Sequence, residues 1–242
     1  MNPALKGIWE HIRDLGLGAL AHAHRHAAYA AMENPRWPDL SVLQAAHAAE
    51  LLIKARIAQE HPLLIFEHLP RFTQASGARL DLQDLFKLGR TFQWVDLPDR
   101  LWAATGVSIP NRATFENFGK LRNGIQHFAA VPGSDAGEET LRFVFSVIDP
   151  FINECWGLFA VDYDEDYEPY VYFVHALVSR EILFLVSPKA AAEFENWDVD
   201  WSAASKKYRN EMHARVRKTV IPGASGTQAT DVVDRSPRVK RH

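Results

Sequence analysis

Cysteine is nearly missing from this 242-residue chain, in which Cys155 stands alone. A single thiol excludes an intrachain disulfide and a thiolate-only metal cluster, and a reducing cytoplasm is the expected setting. Long apolar runs are missing too. The best candidate, 170–186, is interrupted by His175, Arg180 and Glu181, so it is expected as a core helix and not as a membrane span. Lys6 and Glu10 fall where a signal peptide carries its apolar stretch, so no targeting leader is expected. No glycine loop followed by Lys and Ser or Thr is present, which excludes the common phosphate-cradling nucleotide site, and the zinc-protease helix motif is absent. Gly223-Ala224-Ser225-Gly226 lacks the spacing of a nucleophile elbow. There is no internal repeat and no regular alternation of strand and helix patterns, which argues against an α/β sheet enzyme.

What is present is the balance of an ordinary globular protein, 47% apolar and 24% charged. The net charge of -3 hides an asymmetry: residues 1–202 hold 17 Lys and Arg against 27 Asp and Glu, whereas residues 203–242 hold 10 against 3. A basic end of this kind suits a polyanion such as RNA, by counterion release, or is a solvated and partly disordered end.

The spacing of apolar residues predicts an all-α fold. Residues 3–32 read as one or two helices stopped by Asn34-Pro35-Arg36-Trp37-Pro38. Ser41 is the expected N-cap of an amphipathic helix running to about Glu60, and Asp81 the cap of another through Leu88. After Pro62, Leu63-Leu64-Ile65-Phe66 reads as a short separate helix or an ordered loop, and beyond Leu88 the punctuation at Leu97-Pro98 and Ile109-Pro110 leaves no traceable pattern. From Asn111, the expected cap, the positions Phe115, Phe118, Leu121, Ile125 and Phe128 return to helical spacing, and the pattern ends before Pro132. Further helices are expected over 138–159, interrupted near Asp149-Pro150, and over 168–186 with Pro169 in the first turn. The implied organisation is an N-terminal helical segment (1–39), a central helical domain (40–186), a C-terminal helical extension (187–221) and a disordered tail (222–242).

The chemistry is concentrated in Arg122-Asn123-Gly124-Ile125-Gln126-His127. Asn123 and His127 are four apart and share a helix face, so the amide can orient the imidazole. Arg122 adds a charge that is always on beside a group that titrates near neutrality. Metal-free RNA cleavage needs both: a proton-transfer group of pKa near 7 for the 2′-hydroxyl, and a fixed cation for the phosphorane. The competing reading of an Arg and a His at this spacing is an ordinary surface ion pair. On the earlier helix His47, Glu50 and Lys54, spaced three and four, form one polar stripe. Glu50 is expected to orient Arg122 or to pair with Lys54 in a solvated salt bridge.

Other groupings fall away. His22, His24 and His26 include an i, i+4 pair, but no nearby carboxylate lies in phase with them, so no metal site is expected. The run 162–166 begins like a calcium loop, yet Tyr167 stands where glycine is needed and Phe173 where glutamate is needed. The scattered tryptophans read as core.

The stretch 122–128, with a polar residue after the arginine and an aromatic after the histidine, resembles the Arg-polar-four-position-His signature of the HEPN ribonucleases. Residues 47–62 are similar to the early core helix of that superfamily. The resemblance covers about residues 40–130 and implies an antiparallel helical bundle that forms a homodimer, with two motif copies facing one cleft. It further implies a metal-independent, cofactor-free endoribonuclease acting as a toxin or in phage defence, with an antitoxin or regulatory protein as partner. Arg122 would stabilise the phosphate, His127 would act as general base or acid, and Asn123 would orient the imidazole or bind substrate. Some members lack catalysis and bind RNA, nucleotide or a protein partner, and that is the alternative.

Overall fold

The computed structural model describes residues 5–29, 32, 34–74, 77, 80–128, 135–165, 170–193 and 201–219. Among the described residues the fold is all-α apart from one small strand pair, and it is arranged around a single helix. That helix, α2 (Trp37–Glu60), is buried on nearly every side: Val42, Ala45, Ala46, Ala48, Ala49, Leu52, Ile53, Ala55, Ile57 and Ala58 are all core residues. A helix whose apolar residues extend round most of its circumference needs neighbours on several sides, and the stripe of His47 and Glu50 is left polar and accessible. The first is α1 (Ile8–Ala28), which runs antiparallel beside α2. Gly16 and the alanines allow a close approach, since a Cβ on Gly16 would lie 3.0 Å from Leu52 Cγ.

Ser41 is not the cap of α2. The helix begins at Trp37 with Pro38 in its first turn, where the missing N–H costs nothing. Ser41 is buried one turn inside, donating to the Pro38 carbonyl at 2.6 Å and meeting Thr140 Oγ1 at 2.8 Å. Residues 3–32 contain one helix among the described residues, and the expected end at Glu60 is observed.

Between α2 and the motif helix the described residues include a short turn of 3-10 helix (Pro62–Ile65), strand β1 (Phe66–His68), the expected helix α3 (Leu82–Leu88), and then, where the sequence left no pattern, strand β2 (Arg90–Thr91) and helix α4 (Leu97–Thr105). β1 and β2 pair antiparallel, with Phe66 opposite Thr91. Asp81 caps α3 as expected, accepting from the Asp84 N–H in a reciprocal capping box. The ladder matters because it turns residues 91–95 back over the middle of α2.

Helix α5 (Arg112–His127) carries the motif. Asn111 precedes it in a left-handed conformation, φ 49°, with no side-chain cap bond. Phe115 and Phe118 are core, Leu121 and Ile125 half-buried, and Phe128, expected to continue the apolar stripe, is 95% exposed because the helix ends one residue before it. Residues 129–134 lie outside the described residues.

Helix α6 (Ala136–Phe143) continues through a π-helical turn (Val144–Ile148) into α7 (Asp149–Trp156), an interruption near the expected Asp149-Pro150. Helix α8 (Tyr170–Ser179) stops well short of Val186, which corrects the expected helix. Glu181 adopts φ 51° and the chain then runs extended, with Ile182, Phe184 and Val186 buried and Leu183 partly exposed. Side chains satisfy this extended backbone in place of a partner strand. Asp149 accepts from the Leu185 N–H, while Tyr208, Arg215 and Thr219 of α10 (Lys206–Thr219) donate to the carbonyls of Ile182, Phe184 and Val186. The basic segment is therefore, over α10, a docked helix with Tyr208, Met212 and Val216 buried. The short α9 (Pro188–Glu193) lies between them, and the expected disordered tail 222–242 is outside the described residues. One apolar core runs from Leu17 on α1 to Val216 on α10. No helix among the described residues is long and apolar enough to cross a membrane.

Candidate active site

Arg122 lies where α5 crosses α2, and a hollow opens on each side of it. The first, about 370 Å³, is lined by Glu50 of α2, residues 91–95, and Arg122 and Asn123 of α5. The second, about 340 Å³, is lined by Leu43, His47 and Glu50 of α2 and by Arg122 and Gln126 of α5. The polar stripe of α2 thus faces the motif helix, with His47 and Glu50 one turn apart on it.

A stacked column holds the guanidinium. Phe115 lies parallel to the Trp94 indole at 4.1 Å between ring centres, and Arg122 Cζ sits 5.6 Å from the Trp94 centroid. The indole reaches this position because Gly119, one turn before Arg122, has no side chain: a Cβ there would stand 2.3 Å from Trp94 Nε1. The buried indole N–H finds no acceptor among the described residues, since it faces the bare glycine. Arg122 donates to Gln126 Oε1 at 3.2 Å. A guanidinium has five N–H donors, so most of its capacity is unspent among the described residues.

Glu50 pairs with Lys54 at 2.6 Å, and Lys54 also donates to Thr91 Oγ1 at 3.0 Å. The expected pair is real, but it is not solvated: Lys54 is 7% exposed, because β2 covers it. Glu50 lines both hollows beside Arg122, though no ion pair joins those two among the described residues. Its carboxylate is thereby fixed by a lysine and left facing open space.

The motif residues do not converge on one point within the chain. Arg122 borders both hollows and Asn123 the first, while His127 is exposed at the end of α5 and lines neither. On an ideal helix residues five apart point about 140° away from each other. The expected hydrogen bond between Asn123 and His127 is not formed among the described residues, and both side chains are exposed. Sequence reasoning missed Trp94, Thr91 and Gln93. The one available signal was Gly119, a bare mid-helix position one turn from Arg122 on the same face.

The histidines of α1 have other work. His24 is fully buried between Phe145 and Phe173, with Nδ1 2.7 Å from the Tyr163 carbonyl, and burial pushes its pKa down to about 4. His22 and Arg25 both hold Glu165 at 2.9 Å, and His26 meets Gln44. No cluster of metal-ligating side chains occurs among the described residues. Asp162 accepts from Ser187. Cys155 is half-buried and its thiol is pushed up to about 11 by burial, so it is inert at neutral pH. Compared with protein-family models, curated proteins and solved structures, the chain matches none.

Proposed function

We propose that this chain is a metal-independent endoribonuclease of the HEPN type. The observation that carries the reading is Arg122: a guanidinium braced on an indole, with most donors free, at the junction of two open hollows and a turn and a half from an exposed imidazole. In the proposed reaction a neutral histidine takes the 2′-hydroxyl proton and O2′ attacks the adjacent phosphorus. Arg122 meets the charge of the pentacoordinate intermediate, and the 5′-oxygen leaves with a proton from an acid. The products are a 2′,3′-cyclic phosphate and a 5′-hydroxyl.

One histidine does not act as base and acid in the same step, so a second group is required. In this reading a second copy of the chain supplies it. Phe128, 95% exposed next to the exposed His127, gives the end of α5 an apolar contact that a homodimer would cover. RNA is the substrate, and an antitoxin or regulatory protein is a further partner of such an enzyme.

The position of His127 outside both hollows favours one alternative, a module that binds RNA, nucleotide or protein through Arg122 without cutting. Expression of wild type beside Arg122→Ala and His127→Ala, with cellular RNA examined on gels, separates the two. A nuclease degrades RNA and arrests growth only when both residues are present. Intact RNA with the wild type, at equal folded protein, refutes the enzymatic reading.

A further inference from the structure

The first hollow has a chemistry of its own. Its walls carry a carboxylate held in place by Lys54, the amides of Gln93 and Asn123, the Thr91 hydroxyl, and the guanidinium of Arg122, whose Cζ lies over the Trp94 ring at 5.6 Å from its centroid. Gln93 and Asn123 have no side-chain partners among the described residues, and Val95 at the rim is 72% exposed. At about 370 Å³ the space is near the small end of ligand sites. It suits a single nucleotide.

We propose that this hollow is a nucleobase subsite that selects guanine. The inference rests on the RNA reading of the same groove, which it deepens. Unpaired bases are recognised by stacking on aromatic or guanidinium planes and by hydrogen bonds to their edges. Arg122, backed by Trp94, provides the plane, and a base stacked on it leaves the in-plane N–H groups pointing outward toward phosphate. Glu50 provides the selection. A carboxylate has acceptors only, and guanine alone among the four bases presents two adjacent donors, N1–H and the N2 amine, on its Watson–Crick edge. Adenine, cytosine and uracil each set an acceptor next to the donor, and that acceptor would face the Glu50 oxygens. The Gln93 and Asn123 amides lie beside them to donate to guanine O6. Lys54 holds Glu50 in place at 2.6 Å without lining the hollow itself.

The test is equilibrium binding, which does not depend on cleavage. The wild-type chain is titrated by calorimetry with 2′-O-methyl trinucleotides UGU, UAU, UCU and UUU, which lack the attacking hydroxyl, and with the four free 5′-monophosphates. UGU is expected to bind at least tenfold more tightly than the other three, an advantage of the size set by one good bidentate pair. Glu50→Gln is expected to abolish the preference, and Gln93→Ala, at an exposed position, to weaken UGU several-fold without changing the melting temperature. Equal affinities across the trinucleotides, or no binding at millimolar concentration, overturn the proposal, as does a Glu50→Gln protein that folds and keeps the preference. GMP binding as tightly as UGU upholds the guanine site but assigns it to a free nucleotide and removes support for the RNA reading. Cleavage without guanine preference does the reverse.

Discussion

Gly119→Ala is the substitution for which helix propensity and packing predict opposite signs. In an exposed helix interior the change gains about 1 kcal/mol, because alanine loses less backbone entropy than glycine. Here the added Cβ would lie 2.3 Å from Trp94 Nε1 and 2.7 Å from Cδ1. Ordinary contact begins near 3.4 Å, so the indole must retreat by about 1 Å. It cannot swing freely, since it is stacked flat on Phe115, which is fully buried. Overpacking of this kind costs roughly 1–3 kcal/mol, and the Phe115 stack places it toward the upper end, so the net effect is a loss of up to about 2 kcal/mol. In urea, with a slope near 3 kcal/mol/M for a chain of this size, the midpoint falls by up to about 0.7 M with the slope unchanged. In a Trp94→Ala background the obstruction is gone, and Gly119→Ala is expected to stabilise. This sign reversal is a coupling that a double-mutant cycle reads directly. A Gly119→Ala midpoint that rises in the otherwise wild-type protein would refute the column of Phe115, Trp94 and Arg122 and the support it gives the site.

Further expectations concern the buried polar groups. Asp149 accepts the Ala160 and Leu185 N–H groups, both at 2.8 Å. Asp149→Ala strands the buried Ala160 donor and the part-buried Leu185 donor and should cost about 2–5 kcal/mol in thermal or urea unfolding; a loss below about 1 kcal/mol would show that these bonds are not what holds the extended segment. Burial pushes Asp149 up to about 7 from an ordinary 3.8, against the pull of its two backbone bonds. The native state therefore binds more protons than the unfolded one, and this carboxyl's contribution is fully present below about pH 4 and lost as pH rises through 7. His24, lowered to about 4 from 6.5, works the other way, its contribution being present above pH 6.5 and lost as pH falls through 4, on the order of 3 kcal/mol. The two slopes oppose each other between pH 4 and 7. His24→Gln, which can still donate to the Tyr163 carbonyl, should leave stability falling with rising pH, and Asp149→Asn should leave it rising; identical pH profiles for both variants and wild type contradict these assignments.

The elements legible in the sequence were those whose signals are local. The end of α2 at Glu60, the Asp81 capping box and the motif helix from Arg112 follow from periodicity and from side chains that bond their own backbone. Ser41 misled because a cap residue and a buried hydroxyl look alike until Thr140, about a hundred positions away, is in contact. The stretch 182–186 is apolar at every position, so its alternation is invisible, and its backbone partners come from Asp149, Tyr208, Arg215 and Thr219. For the site, the stripe of His47, Glu50 and Lys54 and the residues Arg122 and Asn123 were readable as helix faces. The wall of Thr91, Gln93 and Trp94 was not, because a short strand pair places it and no pattern along the chain records that pairing.

The most direct measurement is the chemistry at the cut. Purified protein, in EDTA, is incubated with an end-labelled single-stranded RNA, and the product termini are identified by mass. The account predicts 2′,3′-cyclic phosphate and 5′-hydroxyl ends, lost by at least a hundredfold in rate in both Arg122→Ala and His127→Ala. Cleavage that either variant retains in full, or that requires a divalent metal ion, would contradict it.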